Sequence, residues 1–581
     1  MTTRPSTRSF RPWYWASIFT IVSLILAACA PAPTAAPTQQ PPAATQTTAP
    51  AQPAPTQPPA PTPTEAGPAF MVDQLRVAIT GDEATVNPYT YVTGFPGWNL
   101  LTMQYDTLYT LNLQGEPQPW LVEAYEISPD GLSYTLTLKE GIQWFDGQPL
   151  TAEDVKFTFE YFTANRQSRF TRDVRGFSSA SVDGERQVTI TLAAPNPMYP
   201  LTAFADVPIL PKHIWEGITT PAEHIFPEVT NIGTGPYKLV EYQADQFYRF
   251  EANTDYFAGM PAVGELVVVR FADMAGALAA FQTNEVDMIF PPVPPEQIDL
   301  LQALDGVKIA QGPQYTTQIV YFDTQRPPFD QVEVRRAIAL ALDTQDMVDT
   351  VYLGFATRGN IGWIHPASPV FNSQVTTEYN LEEANQLLDS VGMTDTDGDG
   401  VREYDGNPMS FEMLTPSNNP LRLRLAELAK EMLLKAGIAV QVSSVEQATW
   451  EAAVWPEFDV SKGRNYQMAM WGWSAPVQAN PYRITELIHS DPAIGNSNLT
   501  GFKNEQADAL SNELLAETDP ARREQLVKDL QALIAEQVPF VMLMYPDGVY
   551  AYRASVYDNL AFMSGQGVVH KLSFLPETAR P

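Results

Sequence analysis

The chain has 581 residues, 44% of them hydrophobic and 11% aromatic, enough for a large core in two or three domains. Its 67 acidic residues outnumber 35 basic ones, for a formal net charge of -32, which argues against nucleic acid and anionic lipid surfaces as partners. The only cysteine is Cys29, so the folded part has no disulfide, no thiolate nucleophile and no cysteine-ligated metal.

Arg4, Arg8 and Arg11 precede an apolar run from Trp13 to Ala27 that only Ser17, Thr20 and Ser23 interrupt. This is the layout of a secretory signal, and the run is shorter than the roughly 20 apolar residues of a membrane span. It ends in Leu26-Ala27-Ala28-Cys29, which resembles a bacterial lipobox. The small residues suit a signal peptidase, and the Cys29 thiol is the atom that would take a diacylglyceryl group as a thioether. Residues 1–28 are therefore read as a lipoprotein signal peptide, whose removal leaves 32 basic and 67 acidic residues and a net charge of -35. Residues 29–68 are almost wholly Pro, Ala, Thr and Gln, with Glu65 the sole charge. Such a tract cannot bury enough apolar surface to offset chain entropy, and its prolines keep it extended, so it reads as a tether. Two or three acyl chains anchor stably, which places the protein on the outer face of the cytoplasmic membrane, at the cell surface or in the periplasm.

The folded part opens with DQLRVAIT, residues 73–80, alternating like a strand. Residues 131–162 then hold an alternating strand, a turn at Asp146-Gly147 and a helix capped by Thr151, with Asp154 in the capping-box position. Strands follow at 186–193 and twice between Tyr237 and Ala252. After Val263 strands and helices alternate, with one helix expected around 334–352 and another at 422–437 that ends on the C-cap glycine Gly437. That alternation predicts mixed α/β lobes.

Several of these segments carry a resemblance. The densest is residues 127–161, with its order of Ser-x-Asp-Gly, alternating strand, Asp-Gly turn and Thr-Ala-x-Asp-Val helix. Leu210-Pro211-Lys212-His213, Gly233-Thr234-Gly235-Pro236-Tyr237, Asn284-Glu285-Val286-Asp287, Pro328-Phe329-Asp330, Val334-Arg335-Arg336-Ala337 and Trp471-Gly472-Trp473 follow in order. Together they resemble solute-binding protein family 5, the oligopeptide-, dipeptide-, nickel- and oligosaccharide-binding receptors of ABC importers. Read as structure, Gly233, Gly235 and Pro236 permit a tight turn, and no Lys-Ser/Thr pair follows to make a phosphate loop.

The resemblance implies an α/β, two-lobed periplasmic-binding-protein-like fold of class II, a Venus flytrap, with an extra subdomain in the first lobe. The first-lobe core would take residues 69–97, 232–312 and 540–581, the extra subdomain 98–231 and the second lobe 313–539. It further implies a monomer that closes on a small solute in its cleft and passes it to ABC importer permease subunits, without catalysis. Peptide binders of the family follow the Gly-Trp pair with an acidic residue for the peptide ammonium; here Ser474 to Asn480 contains none. Aromatic residues expected at the cleft are Tyr89, Tyr91, Trp98, Tyr315, Trp471 and Trp473, suited to sugar faces or peptide side chains. The expected solute is an oligopeptide, with an oligosaccharide as the alternative.

The five histidines, His213, His224, His365, His489 and His570, show no close ligand spacing, which argues against nickel or haem capture. No cofactor is required, but Asp395, Asp397 and Asp399 match the start of a calcium loop whose twelfth position is Gly406 instead of Glu. A structural calcium and a solvated hairpin both fit that tract. An exported hydrolase is the rival class; the chain lacks a Gly-x-Ser-x-Gly elbow, a His-Glu-x-x-His pair and a cysteine nucleophile to support it.

Overall fold

The computed structural model describes residues 69–82, 87–90, 94–165, 170–223, 231–376, 378–474 and 480–581. The signal segment, Cys29, the tether, Tyr91 and His224 lie outside the described residues.

Strand Val72–Ile79 buries Leu75 and Val77 and pairs in parallel with Val263–Arg270, from Val72 opposite Val263 to Ile79 opposite Arg270. It belongs to a 12-stranded mixed sheet that runs through the molecule. On one side stand Tyr237–Gln243, Phe247–Ala252, Val263–Arg270, Val72–Ile79 and Met288–Ile289; on the other stand Ala439–Val445, Ser410–Pro416, Met468–Trp471 and Gln318–Phe322. Between them runs the long strand Phe540–Arg553, which also carries Val307–Pro313 and Ala356–Arg358. The molecule is thus a two-lobed α/β protein of the class II binding-protein kind, as the motifs implied. The long strand exchanges partners along its length: Phe540 to Pro546 pair with 318–321 and 356–358, and Asp547 to Arg553 with 307–313. The exchange of partners falls between Pro546 and Asp547, inside one continuous strand.

The helix expected over 334–352 is two helices, Val332–Ala341 and Thr344–Val351. Asp343 divides them, because its carboxylate accepts from the backbone N–H of Gln345 and Asp346 and so starts a new helix. In the first of these helices Arg335 is buried with no carboxylate partner. Its Nε donates to the carbonyls of Gln537 and Val538, Nη1 to Phe329 and Asp330, and Nη2 to Gln537. The Val334-Arg335-Arg336-Ala337 and Pro328-Phe329-Asp330 motifs are therefore one clamp on the entry to the long strand.

The extra subdomain is a four-stranded antiparallel sheet in the order Val122–Ile127, Ser133–Leu138, Gln187–Leu192, Phe177–Asp183. Helix Ala152–Ala164 buries Val155, Phe159 and Phe162, and Asp154 reaches back to the Thr151 N–H at 2.8 Å, as the capping box predicts. Asp146-Gly147 closes the expected turn, with the Trp144 N–H donating to Gln148 O.

One buried carboxylate ties this subdomain to the rest of its lobe. Asp106 is 1% exposed and accepts from Trp120 Nε1 at 2.9 Å, Tyr256 Oη at 2.8 Å, Lys571 Nζ at 2.7 Å and Thr234 Oγ1 at 3.0 Å. Burial pushes the Lys571 ammonium down, and Asp106 opposes that shift. Thr234 arrives in the Gly-Thr-Gly-Pro-Tyr segment, where a Cβ on Gly233 or Gly235 would overlap the backbone of 103–104. These glycines serve close backbone approach, a different job from the tight turn read in the sequence.

Removing one partner of a buried ion pair leaves the other charge uncompensated, so Lys571→Met should lower unfolding stability by roughly 3–5 kcal/mol in urea titrations. Matching stabilities of wild type and variant would show that the pair is not the tie described. His570, 3% exposed and held by burial near a pKa of about 4, adds a pH dependence. The unfolded chain takes up this proton near 6.5 and the folded one only near 4, so stability present above pH 6.5 drains away as pH falls to about 4. The urea midpoint should drop over that window, and His570→Gln should make the drop smaller.

Candidate ligand cleft

The lobes are joined where Val307–Pro313 ends and Gln318–Phe322 begins, beside the partner exchange of the long strand. Tyr315 lies in this crossing with a φ of 57° and is 6% exposed. Its ring sits 5.1 Å from that of His365, which in turn meets Tyr545 of the long strand at 4.7 Å. Burial holds His365 down at about 4, so it is neutral at physiological pH.

Two residues on, Thr317 fixes the Trp471-Gly472-Trp473 motif. Thr317 N–H donates to Trp473 O at 3.1 Å, and Trp473 N–H donates to Thr317 Oγ1 at 2.7 Å. A Cβ on Gly472 would overlap Thr317 O, so only glycine lets the two backbones meet there. Trp471 closes strand Met468–Trp471 opposite Ile319 and stacks on Trp450 at 4.6 Å and 24°. The Arg422 guanidinium lies 4.8 Å from the same Trp471 ring. Trp473 is 8% exposed and meets Trp455 edge-on at 5.6 Å. Among the described residues, the indole N–H groups of Trp450, Trp455 and Trp473 have no hydrogen-bond partner.

The structure therefore gathers Tyr315, Trp471 and Trp473 at the lobe crossing. Of the other described aromatic residues named from sequence, Tyr89 stacks on Phe162 at 5.8 Å and 4° within the core that the extra subdomain forms, and Trp98 ends the segment Gly94–Trp98 with Nε1 3.4 Å from Asp206 O. Sequence reasoning missed Thr317, Gln318, Trp450, Trp455 and Arg422. A signal existed for Arg422: it shares a helical face with the buried Leu425, Ala426, Ala429, Met432 and Leu433 of helix Pro420–Lys435, a cation on an apolar stripe.

Of the histidines, His213 Nε2 lies 2.7 Å from Asp146 Oδ2, and His489 and His570 are buried. None belongs to a metal-ligand cluster among the described residues. The carboxylates of Asp395, Asp397, Asp399 and Glu403 do gather, with one oxygen of each within 4.8 Å of the others. Glu403 occupies the ninth loop position, and Gly406, with a φ of 73°, turns the small hairpin of Glu403–Tyr404 and Asn407–Pro408. All four are exposed or half-exposed and accept backbone N–H groups of their own loop, as at Gly398 N to Asp395 Oδ1, 2.7 Å. The tract is a hairpin with an acidic face, and the missing glutamate at position twelve has a counterpart at nine.

The described residues contain no helix long and apolar enough to cross a membrane. Over 442 residues the chain is 27% identical to the oligopeptide-binding protein AppA of Bacillus subtilis strain 168, covering 74% of this chain and 78% of that one. It is 25% identical over 503 residues to the glutathione-binding protein GsiB of Escherichia coli O1:K1 / APEC, covering 84% and 92%. Among solved structures, a periplasmic oligopeptide-binding protein from Thermotoga maritima superposes with a TM-score of 0.75 at 22% identity, over 87% of this chain and 98% of that one. The model of bacterial extracellular solute-binding proteins, family 5, matches residues 116–494, and with that match the two lobes, the crossing and its tryptophans resolve into one statement: the chain belongs to this family.

Proposed function

We propose that the protein captures oligopeptides in the cleft at the lobe crossing and passes them to the permease of an ABC importer, as a monomer and without catalysis. The observation that carries this reading is that Tyr315 lies on the segment that joins the lobes and that Trp471 and Trp473 are pinned beside it through Thr317, in a chain similar over most of its length to an oligopeptide-binding protein. A solute touching both sides there stabilises the closed form, because only that form offers both sets of contacts. The Leu26-Ala27-Ala28-Cys29 sequence supports a lipid anchor at Cys29 on the outer membrane face, with residues 29–68 as the tether. An oligosaccharide is the second reading, favoured by flat indole faces and by the absence of an acid between Trp473 and Asn480.

A ligand that binds only the folded state raises its melting temperature, by the equivalent of about 2.7 kcal/mol at a hundredfold excess over Kd. In a thermal-shift screen, peptides should move the transition and neutral oligosaccharides should not; the reverse would replace the first reading by the second. Trp473→Ala should weaken the effective peptide by at least about tenfold. We further propose a structural calcium on Asp395, Asp397, Asp399 and Glu403, supported by the convergence of their oxygens. Millimolar calcium should then raise the melting temperature over an EDTA control, and Asp397→Asn should abolish the difference; identical transitions in both buffers would leave only the hairpin.

A further inference from the structure

The second lobe holds buried arginines without carboxylate partners, and they are not alike. Arg335 spends every guanidinium nitrogen on backbone carbonyls. Among the described residues Arg523 donates only Nη1, to Glu517 O at 3.0 Å, and packs on Tyr482. Arg422, 7% exposed, donates only Nε, to Gln318 Oε1 at 2.9 Å. Its two terminal nitrogens donate to no acceptor among the described residues.

Arg422 also stands in a different place. A Cβ on Gly472 would come within 3.0 Å of its Nη2, so the open end of the fork lies against the Trp471-Gly472-Trp473 backbone at the lobe crossing. Gln318 is committed as well: Nε2 donates to Tyr352 Oη at 3.3 Å, which turns its Oε1 toward Arg422 and fixes the guanidinium. The Trp471 ring supports the same group. A guanidinium held this way is costly to bury unpaired, and its free edge has the planar, two-donor geometry that matches a carboxylate.

We propose that the solute carries a carboxylate and that Arg422 receives it, making this cation, in place of an acid after Trp473, the charged reader of the cleft. The inference rests on the solute-binding role of this cleft and narrows it to acidic ligands: a peptide with a free C-terminus or acidic side chain, or a sugar acid. The carboxylate binds through two parallel N–H···O bonds from the terminal nitrogens, with no proton transferred and no bond broken. Trp471 and Trp450 beside it would exclude water and strengthen the pair.

The test compares matched probes that differ only in charge. Neutral-side-chain peptides are prepared as free acids and as C-terminal amides, and oligogalacturonates as acids and as methyl esters, and each is titrated against wild type and Arg422→Met. In wild type the acid of the responsive pair should bind at least about tenfold more tightly than its neutral twin. Arg422→Met, which keeps the stem over Trp471, should erase the difference between acid and neutral twin, with the acid losing far more affinity than the twin; Arg422→Lys should restore part of the preference. Equal binding of acid and neutral twin in wild type overturns the proposal whatever the variants do, and so does a preference that survives in Arg422→Met. A silent peptide panel with acid-selective galacturonate binding would remove the peptide reading while upholding Arg422. Silence in both panels would count against both.

Discussion

A single strand belongs to both lobes. The strand Phe540–Arg553 pairs with second-lobe strands up to Pro546 and with a first-lobe strand from Asp547 onward. The change of partner between Pro546 and Asp547 lies beside the crossing that carries Tyr315 and Thr317. Under the proposed function, the residues that would touch a solute and those that would register closure are nearly the same ones. Thr317 bonds to Trp473 from both its backbone and its hydroxyl, so a displacement of the crossing is passed to the Trp-Gly-Trp motif without slack.

The treatment of buried charge separates scaffold from site. Asp106 has four donors around one carboxylate, and Arg335 has carbonyls for all its nitrogens, so each is a closed account in a low-dielectric interior. Arg422 is equally buried and is left open toward the crossing.

Much of the architecture was legible because it depends on local rules. The alternation in 73–80, the Thr151–Asp154 capping box, the Asp146-Gly147 turn and the glycine after helix Pro420–Lys435 each follow from patterns a few residues long. The break at Asp343 was legible in principle, since an aspartate can cap a helix, but a continuous apolar period masked it. What could not be read were jobs set by distant partners. Gly233 and Gly235 look like turn residues until helix Asn99–Gln104 is seen pressing on them, and nothing near position 106 announces Lys571. The cleft divides the same way: Trp471 and Trp473 stood out by motif, whereas Trp450 and Arg422 reach the site only through tertiary packing.

The partnership of Asp106 with Lys571 also orders events in time. The first lobe begins with Val72 yet lacks its neutralising cation and the long strand until almost the whole chain has been synthesised. Contacts of such sequence separation form slowly, because loop closure must precede any gain from pairing. The first lobe therefore cannot close around Asp106 before residues near the C-terminus, Lys571 among them, are present.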